Sequence, residues 1–474
     1  MLGTNKEIIG DNYDKTIAVK CNNGIFVGQI EETVKVWRGI PFAEPPVGNL
    51  RWKSPVYPKD DTRIFEAYNY AKVPIQINRP KEEMSEDCLY LNIFTGEDCC
   101  ENKPVMVWIH GGSYIMESAS EELYHGDFFA QAHPEVVLVT IEYRLNAIGC
   151  MNFSTTPGGE EYTSSGNLML LDQKCALEWI QQNIAGFGGD PCNVTIFGES
   201  AGAGSVSLLP LIEGTDTLFN KIIVQSGTAG MAFDKQVGID ITENLKKIFN
   251  AKTVAELVQV PEDELKEKVS LFGNIGGPLK GDGILTEDPY MAYKNGRVKD
   301  KKMLIGSTAD ECRYMISDTG KTVDRFAPYM HNCYEKLLNY MTEEYRKMAE
   351  AYVNKVGLEE VWSEEKFFTQ VGFGIPVLYQ ADLQSQYNDV FVYNFAFPIN
   401  GSLLRAMHGA ELPCLFNNQR ILDNEGLRSD KSDYITKSIM DMWVNFAKNG
   451  NPSIKNIKWK KYSSIKSNVM IFDE

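Results

Sequence analysis

Only five histidines occur in 474 residues, so chemistry that needs an imidazole has few places to reside: His110, His125, His133, His331 and His408. Positive charge is in deficit as well. Lys and Arg number 47 against 64 Asp and Glu, a net charge of −17, which argues against a nucleic-acid partner because phosphate binding depends on clustered cations. The excess negative charge favours solubility. Ten cysteines are present but none in Cys-x-x-Cys spacing, so neither a zinc site nor a dithiol redox motif is expected, and no cofactor or metal. Cys99 and Cys100 are adjacent, a poor geometry for a bridge. Met1 to Gly10 lacks the apolar core of an export signal, and no apolar run is long enough to span a bilayer. The expectation is a cytoplasmic protein with reduced thiols. Internal repeats, low-complexity tracts and Pro/Gly/Ser linkers are also lacking.

What is present begins with residues 194–205, Val-Thr-Ile-Phe-Gly-Glu-Ser-Ala-Gly-Ala-Gly-Ser. Val194, Ile196 and Phe197 have strand character, and the small residues from Ala201 let a helix start with its backbone close to a sheet. Gly198 and Gly202 leave room around Ser200, so the turn can hold that serine strained and exposed, as a nucleophile elbow does. A serine nucleophile requires a base, an acid to orient the base, and backbone donors for the oxyanion.

In α/β-hydrolases the acid and then the base follow the serine along the chain. That order leaves His331 and His408. His331 sits in a polar, aromatic stretch, whereas His408 follows the apolar run Val390 to Phe397 and precedes Gly409, as expected of a loop past a strand end. His408 is therefore the candidate base. The acid is sought in Met303-Leu-Ile-Gly-Ser-Thr-Ala-Asp-Glu311, a short strand running into two adjacent carboxylates. Side-chain chemistry alone does not choose between Asp310 and Glu311. For the oxyanion, Val105-Met-Val-Trp-Ile-His-Gly-Gly-Ser-Tyr114 supplies a strand ending in glycines, which would partner the amide of Ala201, the residue after the nucleophile.

Further segments carry a resemblance over nearly the whole chain. Arg38 to Gly48, Ser85 to Asn92, the pairs Gly166-Asn167 and Asp172-Gln173, Phe187 to Pro191, Gly198 to Gly202 and Trp443 to Pro452 resemble, in order, the signatures of the type-B carboxylesterase and cholinesterase family. The likeness is greatest to its bacterial para-nitrobenzyl-esterase-like members. The resemblance implies an α/β-hydrolase fold with a large mixed sheet, and it selects Glu311 as the acid and supports His408 as the base. It also implies that the amides of Gly112, Ser113 and Ala201 form the oxyanion hole. Ser113 stands where the family has a third glycine. Val73 stands near the position of the cysteine that secreted relatives bridge to their counterpart of Cys88, and residues 193–311 contain no cysteine, so the family's first two disulfides are not expected. No tryptophan lies between Ile75 and Ser85 to stack on a choline, which argues against a choline esterase.

The expected protein is thus a serine carboxylesterase acting on a small-molecule ester. A lipase or amidase on the same triad is the nearer alternative, and a non-catalytic interaction protein the more distant one. One domain, 1–474, is expected, with helical cap insertions near 234–271 and 323–370; the oligomeric state is open. Strands are expected near Ile17 to Val36, Val105 to Ile109, Val136 to Ile141, Val194 to Phe197, Ile222 to Val224, Met303 to Ile305 and Phe391 to Phe397. A covering helix is read from Leu168, Leu171, Cys175 and Trp179. Glu199 and Glu411 flank candidate catalytic residues, and Phe233 is a candidate for the acyl pocket by resemblance.

Overall fold

The computed structural model describes residues 4–97, 101–272, 276–315, 347, 351, 361–399, 404–424 and 426–473. These fall into two compact units, Met1–Lys221 with Met231–Pro289, and Ile222–Gly230 with Tyr290–Glu474. The first contributes six neighbouring strands of the large mixed sheet: β1 (Gln29–Glu31), β2 (Val34–Pro41), β3 (Tyr90–Gly96), β4 (Lys103–Ile109), β5 (Val137–Ile141) and β6 (Gly189–Glu199). Their spatial order is β1-β2-β3-β5-β4-β6. β1 to β3 and β5 meet as antiparallel neighbours, and β4 runs parallel to both β5 and β6. Every residue of β4 and β5 is buried. Such strands read as continuous apolar runs because both faces of a parallel sheet are covered.

The second unit contributes β7 (Lys221–Gln225), β8 (Lys302–Thr308), β9 (Val390–Phe395) and β10 (Val469–Phe472), in that order. β8 and β9 run parallel, from Met303 opposite Val390 to Thr308 opposite Phe395, and β10 continues parallel to β9. Their long connections carry helices, as parallel pairing requires.

Two sequence expectations change. The stretch from Ile17 to Val36 is not one element of the large sheet. Ala18–Cys21 pairs with Asn23–Val27, which pairs in turn with Asp61–Glu66, in a separate three-stranded sheet. The break falls at Gly28, where a Cβ would lie 2.6 Å from Trp37 Nε1. Conversely β3 was not expected, although it is nearly all buried. Its polar Asn92 interrupts the apolar run, and that amide is satisfied only by distant partners, donating to Thr140 Oγ1 at 3.0 Å and accepting from Gly39 N at 2.9 Å.

The covering helix is α1 (Leu168–Asn183), which buries Leu168, Cys175 and Trp179 as the spacing suggests but leaves Leu171 partly exposed. Residues 234–271 contain α2 (Lys235–Phe249), α3 (Val254–Val258) and α4 (Glu262–Lys268). Of the second expected insertion, 323–370, only residues 347, 351 and 361–370 are among the described residues, and His331 lies outside them. Among the described residues no helix is long and apolar enough to cross a membrane, and the seven cysteines described there are unbridged.

Candidate active site

Ser200 joins β6 to the helix Ala201–Leu208, with φ 55° and ψ −120°. A non-glycine residue at positive φ is strained, and here the packing of the elbow enforces it. A Cβ at Gly202 would stand 2.0 Å from Ile109 O, and one at Gly198 would stand 2.6 Å from the same atom. Only glycine lets the elbow lie against the end of β4. The helix then opens with amides that have no intrahelical acceptor, and Ala201 supplies the first of them.

The loop after β4 is held by its carbonyls. Gly111 O accepts from His110 Nδ1 at 3.1 Å and Tyr143 Oη at 3.4 Å, and the same hydroxyl donates to His110 O at 2.7 Å. Gly112 O accepts from Ile115 N at 2.9 Å and Met116 N at 3.1 Å. In a trans peptide the carbonyl and the following N–H point opposite ways, so these bonds turn the amides of Gly112 and Ser113 to the other side of the loop. Among the described residues the amides of Gly112, Ser113 and Ala201 take no acceptor. The backbone is left-handed over three residues, φ 85° at Gly112, 55° at Ser113 and 62° at Tyr114. A Cβ at Gly112 would meet Met116 O at 2.2 Å, which reserves that position for glycine. Ser113 is exposed and carries its Cβ into solvent.

In the second unit His408 Nδ1 lies 2.5 Å from Glu311 Oε2. Glu311 follows the end of β8 and is fully buried. Its other oxygen, Oε1, accepts from Thr308 N at 2.7 Å and from Ser226 Oγ at 2.5 Å. His408 N also donates to Glu311 O at 3.2 Å, and the imidazole packs against Phe373 and Tyr314, with centroids 5.0 and 5.8 Å away. Asp310 faces elsewhere: Arg313 and Arg405 lie 3.9 and 3.7 Å from its carboxylate.

Of the other residues singled out, Glu199 is buried, with Oε2 only 3.0 Å from where a Gly111 Cβ would be. Glu411 Oε1 accepts from Gln225 Nε2 at 3.1 Å and Tyr393 Oη at 3.2 Å. Burial, then the nearby Glu311 carboxylate, raise the pKa of Glu411. Phe233 N donates to Pro278 O at 2.7 Å, and the Phe233 ring would lie 2.7 Å from a Cβ at Gly277. Sequence reasoning missed Ser226, Thr308, Tyr143 and His110 as supports. Their only advance signal is position, each at or just beyond a strand end.

A strand-elbow-helix nucleophile motif and a histidine-carboxylate pair beyond strand ends define a hydrolase of the α/β type. The chain matches the model of the Carboxylesterase family over residues 15–474, and it belongs to that family. It is 32% identical to the para-nitrobenzyl esterase of Bacillus subtilis, over 94% of this chain and 92% of that protein. It is also 32% identical to carboxylesterase 1C of Rattus norvegicus, over 91% and 84%. A solved para-nitrobenzyl esterase superposes with a TM-score of 0.84 at 31% identity, covering 96% of both chains. A Geobacillus stearothermophilus carboxylesterase does so with 0.84 at 30%, again over 96% of both. The α/β-hydrolase fold is thereby shown. The protein is a serine carboxylesterase, and nothing in the comparisons favours the lipase, amidase or non-catalytic alternatives.

Proposed function

We propose that Ser200, His408 and Glu311 are the nucleophile, base and orienting acid of this esterase, with Gly112, Ser113 and Ala201 as oxyanion donors. Ser200 Oγ attacks the ester carbonyl while His408 Nε2 takes its proton. The tetrahedral oxyanion is held by the three amides. The imidazolium then protonates the departing alkoxide, leaving an acyl-enzyme that water hydrolyses by the same steps in reverse order. The observation that carries the reading is the 2.5 Å contact between His408 Nδ1 and Glu311 Oε2. A carboxylate there fixes the proton on Nδ1 and leaves Nε2 as the base.

The whole chain is read as one hydrolase domain acting on a small ester, in a cytoplasmic, reducing setting that suits unbridged cysteines. A panel of p-nitrophenyl esters of rising acyl length with one matched anilide tests the activity. Turnover of short or medium esters with the anilide left largely intact is expected. Comparable anilide turnover would make the protein an amidase, and inertness toward every ester would remove the triad assignment.

The oxyanion assignment is tested at Ser113. Glycine there keeps the amide, and relief of left-handed strain offsets the added backbone freedom. Ser113→Gly should leave kcat within about tenfold and stability within about 1 kcal/mol. Proline has no N–H and cannot adopt the φ of 55° found here. Ser113→Pro should lower kcat by on the order of 10² or more. A folded Ser113→Pro enzyme with wild-type turnover would show that this amide is not a donor.

A further inference from the structure

We propose that Glu142 is a positioning residue for the oxyanion loop, its carboxyl group carrying the proton that joins it to His110 Nε2 and releasing its hold when that proton leaves. Glu142 follows β5 directly and is 3% exposed. One oxygen, Oε1, accepts from Ala119 N at 3.0 Å, at the far end of the loop that starts at His110. The other, Oε2, lies 3.7 Å from His110 Nε2. Neither of these two buried atoms has a hydrogen-bond partner among the described residues. His110 is completely buried and stacked on Tyr143, centroids 4.4 Å apart. Because Gly111 O can only accept, the His110 Nδ1 bonded to it must carry the ring proton. A neutral ring therefore turns a bare lone pair at Nε2 toward Oε2. Two facing acceptors in a dry site repel, and each unmade bond is costly. One proton between them removes both penalties, with a small closure from 3.7 Å to hydrogen-bond length.

Burial decides where that proton resides. It pulls the His110 pKa down to about 3 and pushes that of Glu142 up to about 8, against the lowering effects of the Ala119 amide and Arg79. Both groups are then uncharged at neutral pH, with the proton on Glu142. Tyr143, Tyr124 and Cys88, also at this place, are pushed well above their ordinary values by burial, and Glu117 interacts with both tyrosines. The Arg144–Asp172 ion pair lies beyond Cys88. The charge of Glu142 itself changes near pH 8. Since its folded pKa is raised, the clamp is intact below that value and lost as pH rises through it. The loss frees the His110 end of the loop that turns the Gly112 and Ser113 amides outward, while Ala119 N keeps Glu142 Oε1 as its acceptor.

The inference rests on the reading of those amides as oxyanion donors. The test compares wild type, Glu142→Gln and Glu142→Leu on one p-nitrophenyl ester from pH 6.5 to 9.5. Glutamine keeps an acceptor for Ala119 N and offers His110 Nε2 an N–H that does not titrate. We expect wild-type kcat to fall on the alkaline side with a midpoint near 8, by about tenfold, the scale of a weakened oxyanion donor. The ratio of Glu142→Gln to wild-type kcat should rise across the same range by a similar factor. Glu142→Leu should lower kcat at every pH with KM unchanged within about twofold. An alkaline limb shared by Glu142→Gln and wild type, or wild-type kcat in Glu142→Leu, would overturn the proposal. If the leucine variant does not fold, infrared difference spectra of wild type minus Glu142→Gln at pH 7 decide it. A protonated-carboxyl band assigned to Glu142 is expected, and its absence overturns the proposal whatever Ser113→Pro shows.

Discussion

Ser200→Ala abolishes ester hydrolysis while leaving the fold in place, with a loss on the order of 10⁴ to 10⁶ in kcat, as when a triad acts as a unit. The fold should survive because alanine keeps the Cβ and so meets the same φ of 55°. The serine hydroxyl makes no capping bond to the following helix, so its removal costs no secondary structure. Burst kinetics with p-nitrophenyl acetate and the melting temperature measured side by side check both halves. Wild-type turnover in this variant would end the mechanism proposed above.

Glu311→Gln should be nearly as damaging, by about 10⁴ in kcat, for a reason specific to this pocket. Oε1 of Glu311 receives two donors, Thr308 N and Ser226 Oγ. A glutamine must place its carbonyl oxygen there, which leaves its NH₂ facing His408 Nδ1. The imidazole is forced to accept at Nδ1, so the neutral ring holds its proton on Nε2 and can no longer act as a base. Asp310→Asn should change kcat by no more than about threefold, since Asp310 faces Arg313 and Arg405 rather than the imidazole. Steady-state kinetics of the two variants settle the ranking, and the reverse order would reassign the acid.

The sequence was most readable where local chemistry and packing agree. β4 and the stretch of β6 from Val194 stand out as apolar runs because both of their faces are covered, and the elbow because its two glycines have no substitute beside Ile109. β3 was opaque because Asn92 reads as polar until Gly39 and Thr140 are beside it. Asp310 and Glu311 could not be separated by chemistry, and family resemblance had to choose. The side-chain partner that singles out Glu311 is Ser226, 85 positions away. The proton between His110 and Glu142 was equally invisible. Setting His110 aside as a base, on chain order, left no reason to ask what else a buried imidazole does. Ser113 is the converse case. Residue preference speaks against a side chain in a left-handed turn, yet its neighbours Gly112 and Tyr114 continue the same conformation and its side chain is exposed.

The contact of Gly202 with Ile109 O, 2.0 Å from any added Cβ, bears on how such an enzyme can be altered. Nucleophile and donor loop are wedged together with no spare methyl group of space, so they respond to change as one rigid insert. Libraries that vary Gly198, Gly202 or Gly112 should yield mostly inactive clones. Altered substrate range is better sought by varying the helices of residues 235–268, where replacing a side chain leaves the alignment of the elbow and its donors alone.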